Sequence, residues 1–165
     1  MTSPRLQGLA PVVSAETRLL VLGSFPGVAS LQAQQYYGHP RNHFWPVVGA
    51  ILGRDLVALP YAERLAAVLR RGLGIWDVYA SCERVGSLDQ AIRTPVHNDF
   101  ESLRRDAPLL RHVAHNGGEA ARARRHLQAL GFEVHILPST SPANASWSFE
   151  RKLAAWRAVF TAAGL

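Results

Sequence analysis

Cysteine and lysine are the scarcest chemistry in this 165-residue chain, which has one of each. A lone Cys82 excludes an intramolecular disulfide, and with it any zinc or iron–sulfur site built from several thiolates. With Lys152 the only lysine, Schiff-base chemistry has a single side-chain amine to draw on. No apolar run approaches the roughly 18 residues that would read as a membrane span. The opening MTSPRLQGLAPVV has no basic start, long apolar stretch or small-residue cleavage site, so no secretory leader is expected. Repeats, low-complexity tracts and long linkers are missing too. What remains is an ordinary globular composition, 48% hydrophobic and 18% charged. It predicts one cytoplasmic domain over residues 1–165, monomeric, with no membrane partner and no metal or cofactor.

Acidic residues are in the minority, 12 against 18 basic, for a net charge of +6. A basic excess on a small domain points to a polyanionic partner, nucleic acid first. Arginine and alanine enrichment from a GC-rich genome would leave the same imprint.

Apolar patterning predicts strands over residues 18–24, 74–79, 111–115 and 132–137. Helices are expected over 28–35, 44–52, 60–71, 119–130 and from Ser146 or Ser148 to about 163, with Asp99 capping another to 106. Strands alternating with helices imply an α/β fold: a three-layer αβα sandwich around a central four-stranded parallel sheet. Ligands bind such sheets beyond the carboxyl ends of the strands. Glycine, proline and polar residues collect there.

Three segments at that edge carry chemistry. In GSFPG (23–27), Gly23 and Gly27 permit close backbone approach and Pro26 stiffens the turn. It is neither a phosphate-binding loop nor a GxSxG elbow, so Ser24 is a poor nucleophile. In YYGHPRNHFW (36–45), aromatic faces suit base stacking, Arg41 suits phosphate, and Asn42 suits a water or a base edge. Phe44 and Trp45 read as anchors of the following helix. In LPSTSPAN (137–144), Pro138 and Pro142 bracket Ser139, Thr140 and Ser141, whose hydroxyls and N–H groups suit a phosphate backbone.

Together these segments resemble the uracil-DNA glycosylase superfamily over residues 19–160. GSFPG is similar to its first motif, and LPSTSPAN to the second, which wedges against DNA. With GIWDVYASCERVGSLDQAI (74–92), the pattern is most similar to the sixth family, the hypoxanthine-DNA (deoxyinosine) glycosylases. Many superfamily members place an Asp or Asn in the first motif to position water, where this chain offers only Ser24 and Phe25.

The resemblance implies a monofunctional enzyme that hydrolyses the N-glycosidic bond of a flipped, deaminated base in base excision repair. Its partner would be single- or double-stranded DNA carrying damage. Asn42 is the matching catalytic amide, and Tyr37 the stacking aromatic. Phe25, Asp77 and Asn116 are candidate base contacts, with a turn role open for Asn116 and a cap or ion pair open for Asp77. Gly23, Ser24, Pro26, Gly27, Arg41 and residues 138–142 are candidate DNA contacts. Lys152 is expected in a surface or phosphate-contacting role, and Arg122, Arg124 and Arg125 on a solvated helix face. The competing functions are a uracil, xanthine or alkylated-base glycosylase on the same fold, and a non-catalytic nucleic-acid-binding module.

Overall fold

A computed structural model describes residues 4–165; the first three residues of the opening segment lie outside it. The strands are β1 (Arg5–Gln7), β2 (Leu19–Gly23), β3 (Leu73–Asp77), β4 (Tyr79–Glu83), β5 (Arg93–His97), β6 (His112–Asn116) and β7 (Glu133–Leu137). The helices are α1 (Val28–Ala33), α2 (Phe44–Leu52), α3 (Tyr61–Arg70), α4 (Leu103–Asp106), α5 (Arg124–Ala129) and α6 (Phe149–Ala162). None of the described helices is long and apolar enough to cross a membrane.

The central sheet has the order β3-β2-β6-β7, and every pairing in it is parallel. All five residues of β2 and all five of β3 are buried, which explains their unbroken apolar runs: helices cover both faces. Gly23 lies opposite Asp77 and Asn116 opposite Leu137, so these strand ends form one common edge. The expected α/β architecture is the one observed.

The last helix starts at Ser148, whose Oγ accepts the Arg151 N–H at 3.2 Å. Trp156 and Phe160 on its inner face are fully buried. The helix at 44–52 has the expected bounds and ends on Gly53 at φ 72.

Three expectations need correction. Residues 74–79 are not one strand. The N–H groups of Val78 and Tyr79 bond Gly23 O and Ser24 O, and the chain then leaves for a second, antiparallel sheet of order β1-β4-β5. That sheet escaped sequence reading because β5 (RTPVH) is exposed throughout and carries a proline. Residues 119–130 divide into a 3₁₀ turn, Ala120–Ala123, followed by α5. Asp99 makes no side-chain cap, and a 3₁₀ turn, Phe100–Ser102, precedes α4.

Gly74 in β3 is the tightest core glycine. A Cβ there would meet Thr17 Cγ2 and Val12 O at 2.9 Å, the latter a backbone atom that cannot swing aside. Gly74→Ala should therefore cost about 1–3 kcal/mol. Urea unfolding should show a lower midpoint at unchanged m-value.

Candidate active site

Where the strands end, the loops enclose a cleft of about 690 Å³, a volume suited to a nucleoside-sized ligand. Every site residue named from the sequence lines it.

Asp77 ends β3 in a buried position, and its Oδ2 has no hydrogen-bond partner. Burial, reinforced by the Asp89 charge, pushes its pKa up to about 7, with Arg84 pulling the other way. Neither alternative raised for it, a cap or an ion pair, is formed. The neighbouring Gly23 is required to be small: a Cβ there would lie 2.5 Å from Asp77 Oδ1 and 3.0 Å from the Tyr37 hydroxyl.

Tyr37 sits at φ 55, in the left-handed region that a bulky residue seldom occupies. One face of its ring stacks on Phe44, with centroids 4.0 Å apart at 19°. Its hydroxyl accepts an N–H from Asn116 Nδ2 at 3.1 Å. Burial and Asp77 raise its pKa far above the ordinary value, so the phenol stays neutral.

Asn116 and Thr140 line the cleft and are bonded to one another. Asn116 Nδ2 also donates to Thr140 Oγ1 at 2.9 Å, and Asn116 Oδ1 accepts the Thr140 N–H at 3.0 Å. The Thr140 carbonyl in turn accepts the His43 N–H at 3.0 Å. Both amide hydrogens of Asn116 are spent, and Thr140 is 1% exposed, so these two residues brace the loops, while Asn116 Oδ1 keeps a second lone pair at the cleft. Pro138, Ser139, Ser141 and Pro142 are only half-buried. The loop is pinned by Trp156 Nε1 donating to Pro138 O at 3.0 Å.

Asn42 stands one residue before the N-cap of α2, His43, and satisfies the helix's first N–H: its Oδ1 accepts the Phe44 N–H at 2.9 Å. That uses one lone pair of the carbonyl and leaves the other. Arg41 beside it is exposed and lines the cleft.

The first loop is held from behind by Arg84, which sequence reading missed. This guanidinium, on a residue 6% exposed, donates to Pro26 O and Gly86 O at 2.7 Å each. It also lies 5.3 Å from the Phe25 ring centroid. Asp89, also missed, accepts the Ser24 hydroxyl at 2.5 Å, and burial raises its pKa. Both sit in the polar stretch 83–90, where no periodicity marks a side chain as inward-facing.

Lys152 is not at the surface. It is 1% exposed, its Nζ lies 3.3 Å from His43 Nδ1, and burial lowers its pKa. It is absent from the cleft lining. Periodicity held the signal: Lys152 falls on the same helix face as Phe149, Trp156 and Phe160. Arg122, Arg124 and Arg125 are exposed, as expected.

A cleft at the ends of parallel strands, framed by a Gly/Pro turn and a Pro/Ser loop, defines the class. The profile of the uracil DNA glycosylase superfamily matches residues 10–160, and the chain belongs to that superfamily. Two relatives bear the name hypoxanthine DNA glycosylase. One, from Methanosarcina barkeri (strain Fusaro / DSM 804), is 40% identical over 154 residues, covering 93% of this chain and 97% of its own. The other, from Methanosarcina acetivorans, is 38% identical with the same coverage. A solution NMR structure of a candidate uracil DNA glycosylase from Methanosarcina acetivorans is 36% identical and superposes with a TM-score of 0.88, covering 98% of this chain and 100% of that one.

A carboxyl group whose pKa rises on folding destabilises the fold once it must ionise. Between its unfolded pKa near 3.8 and its folded pKa near 7, native Asp77 binds the extra proton, so stability falls as pH rises through that window. Asp77→Asn removes the charge. It should stabilise the protein by up to about 4 kcal/mol at pH 8 and change little below pH 4, by urea unfolding at both.

Proposed function

We propose that this chain is a monofunctional DNA glycosylase that releases hypoxanthine from deoxyinosine. The observation that carries the reading is the buried, unpartnered carboxylate oxygen of Asp77 in the cleft. Deamination turns the N1 of adenine, an acceptor, into the N1–H of hypoxanthine, a donor. An ionised Asp77 accepts that hydrogen bond and repels the N1 lone pair of adenine. Xanthine and uracil also carry a lactam N–H. The names of the two relatives favour hypoxanthine among the three.

The target nucleotide is flipped into the cleft, where the free face of Tyr37 stacks on the base. The N9–C1′ bond breaks early. Its electron pair leaves with the purine, and positive charge develops on the sugar. Backbone dipoles of the cleft loops and the DNA phosphates stabilise that cation. Asn42, fixed by its bond to the Phe44 N–H, holds a water for C1′ with its remaining lone pair. The water oxygen bonds C1′ and one water proton passes to solvent, the purine that left with the bonding pair takes up a proton from solvent, and an abasic sugar remains. With Lys152 turned toward His43 and outside the cleft lining, no side-chain amine attacks C1′. Borohydride should therefore trap no protein–DNA adduct.

The deciding experiment is a panel of duplexes and single strands carrying hypoxanthine, uracil, xanthine or ethenoadenine, scored for alkali-sensitive sites. Fastest cleavage at hypoxanthine is expected. Preference for uracil would reassign the specificity, and no release from any would leave a binding module.

Asn42→Ala should lose about 10²–10⁴-fold in single-turnover excision. It should also lose about 1 kcal/mol of stability, because the bond to the helix's first N–H goes with it. Asn42→Ser separates the two effects: a serine still accepts the Phe44 N–H but is too short to hold the water. It should restore the melting temperature and leave the rate low. Recovery of rate with stability would show that Asn42 acts only on the helix end.

Because Asp77 must be ionised to accept N1–H, excision should fall as pH drops through about 7. Asp77→Asn should be slower and should flatten the profile. A rate that instead falls as pH rises through that value would make Asp77 a proton donor to the leaving base.

A further inference from the structure

At the far end of the sheet, three potential metal ligands converge where neither the motifs nor the cleft have any part. His112 begins β6, and Glu133 and His135 lie on the adjacent edge strand β7. His112 is in register with Glu133, and His135 follows two residues later, so strand alternation places all three on one face. His112 Nδ1 lies 3.0 Å from His135 Nε2 and 3.6 Å from Glu133 Oε2. All three ligand atoms lie within 4.8 Å of one another, the one such group of His, Cys, Asp or Glu among the described residues.

We propose that His112, Glu133 and His135 form a divalent transition-metal site with zinc as the fitting ion. Two imidazoles and a carboxylate are a donor set zinc takes up, with a fourth position left for water. Ligands about 2.0–2.1 Å from a tetrahedral ion stand about 3.3 Å apart, a spacing the two distances at His112 bracket. A proton shared between the imidazoles satisfies one contact only. A cation answers all three electron-rich atoms at once. The bound ion ties the edge strand β7 to β6, at the root of the loop beginning at Pro138. His112 and Asn116 are separated by four residues of strand, about 13 Å, so the site stands apart from the cleft.

The test uses the full chain after chelator treatment, titrated with zinc chloride by calorimetry. Wild type should saturate at one ion per chain. His112→Gln and His135→Asn should each weaken binding about 100-fold or more, and Glu133→Gln about 10-fold or more, since even outer-shell partners commonly contribute 10–100-fold. Zinc at 100 times its dissociation constant should raise the wild-type Tm by about 5–10 °C and leave the histidine variants unmoved. Zinc-free excision rates equal to wild type certify that the variants fold. Should a histidine variant fail to fold, exposed Glu133→Gln decides alone. No saturable binding in wild type, or equal affinity in wild type and the folded variants, overturns the site and assigns any zinc to the other histidines.

Discussion

The side-chain amide of Asn116 is the constraint on which the cleft depends. It stands at the end of β6 and reaches two loops that are distant in sequence. Its hydrogen bonds fix Thr140 of the Pro/Ser loop and the hydroxyl of Tyr37 in the aromatic loop. Thr140 then passes the constraint to His43 at the start of α2. A buried amide with its donors satisfied is worth far more than its net bond energies, because leaving the same groups orphaned would cost about 1–3 kcal/mol each. Strain at Tyr37 persists because stacking on Phe44 and the bond from Asn116 both hold the ring.

Charge around the cleft is arranged against stability. Asp77 is buried with an oxygen unpartnered, and buried Arg84 has an Nη1 in the same condition. Arg84 is committed to backbone carbonyls of two loops and forms no ion pair with Asp77 or Asp89, though its charge is felt by both. The result is a carboxylate with a pKa near neutrality, available to a ligand. A closer ion pair would have lowered that pKa and silenced the group.

The sheet was legible because strands buried on both faces must be apolar along their whole length, as LLVLG and LGIWD are. The site was legible because parallel strands deliver their carboxyl ends to one edge, so the residues following them meet. What sequence could not show was direction and partnership. Asn116 reads alike as a base contact and as a turn residue, and nothing in the spacing announces its bonds to Thr140, 24 residues on. The exposed strand β5 carries no apolar alternation to detect. Lys152 differs: its place on the apolar face of α6 was present in the spacing, and its residue type masked it.

The first motif has no carboxylate or amide for water, and its one hydroxyl, on Ser24, is engaged with Asp89. In the proposed reaction the task passes to Asn42, an amide, which cannot take up a proton at ordinary pH. That is a handicap only if the nucleophile must be activated before the bond breaks. If the purine departs first, the sugar cation is electrophilic enough to accept a neutral water, and position matters more than basicity. The demands on the protein then fall on the field around the cation and on a fixed point for the water. Loop dipoles and the DNA phosphates answer the first demand, and the bond that fixes Asn42 to the Phe44 N–H answers the second. In that reading one hydrogen bond satisfies the first N–H of the helix and also sets the position of the water.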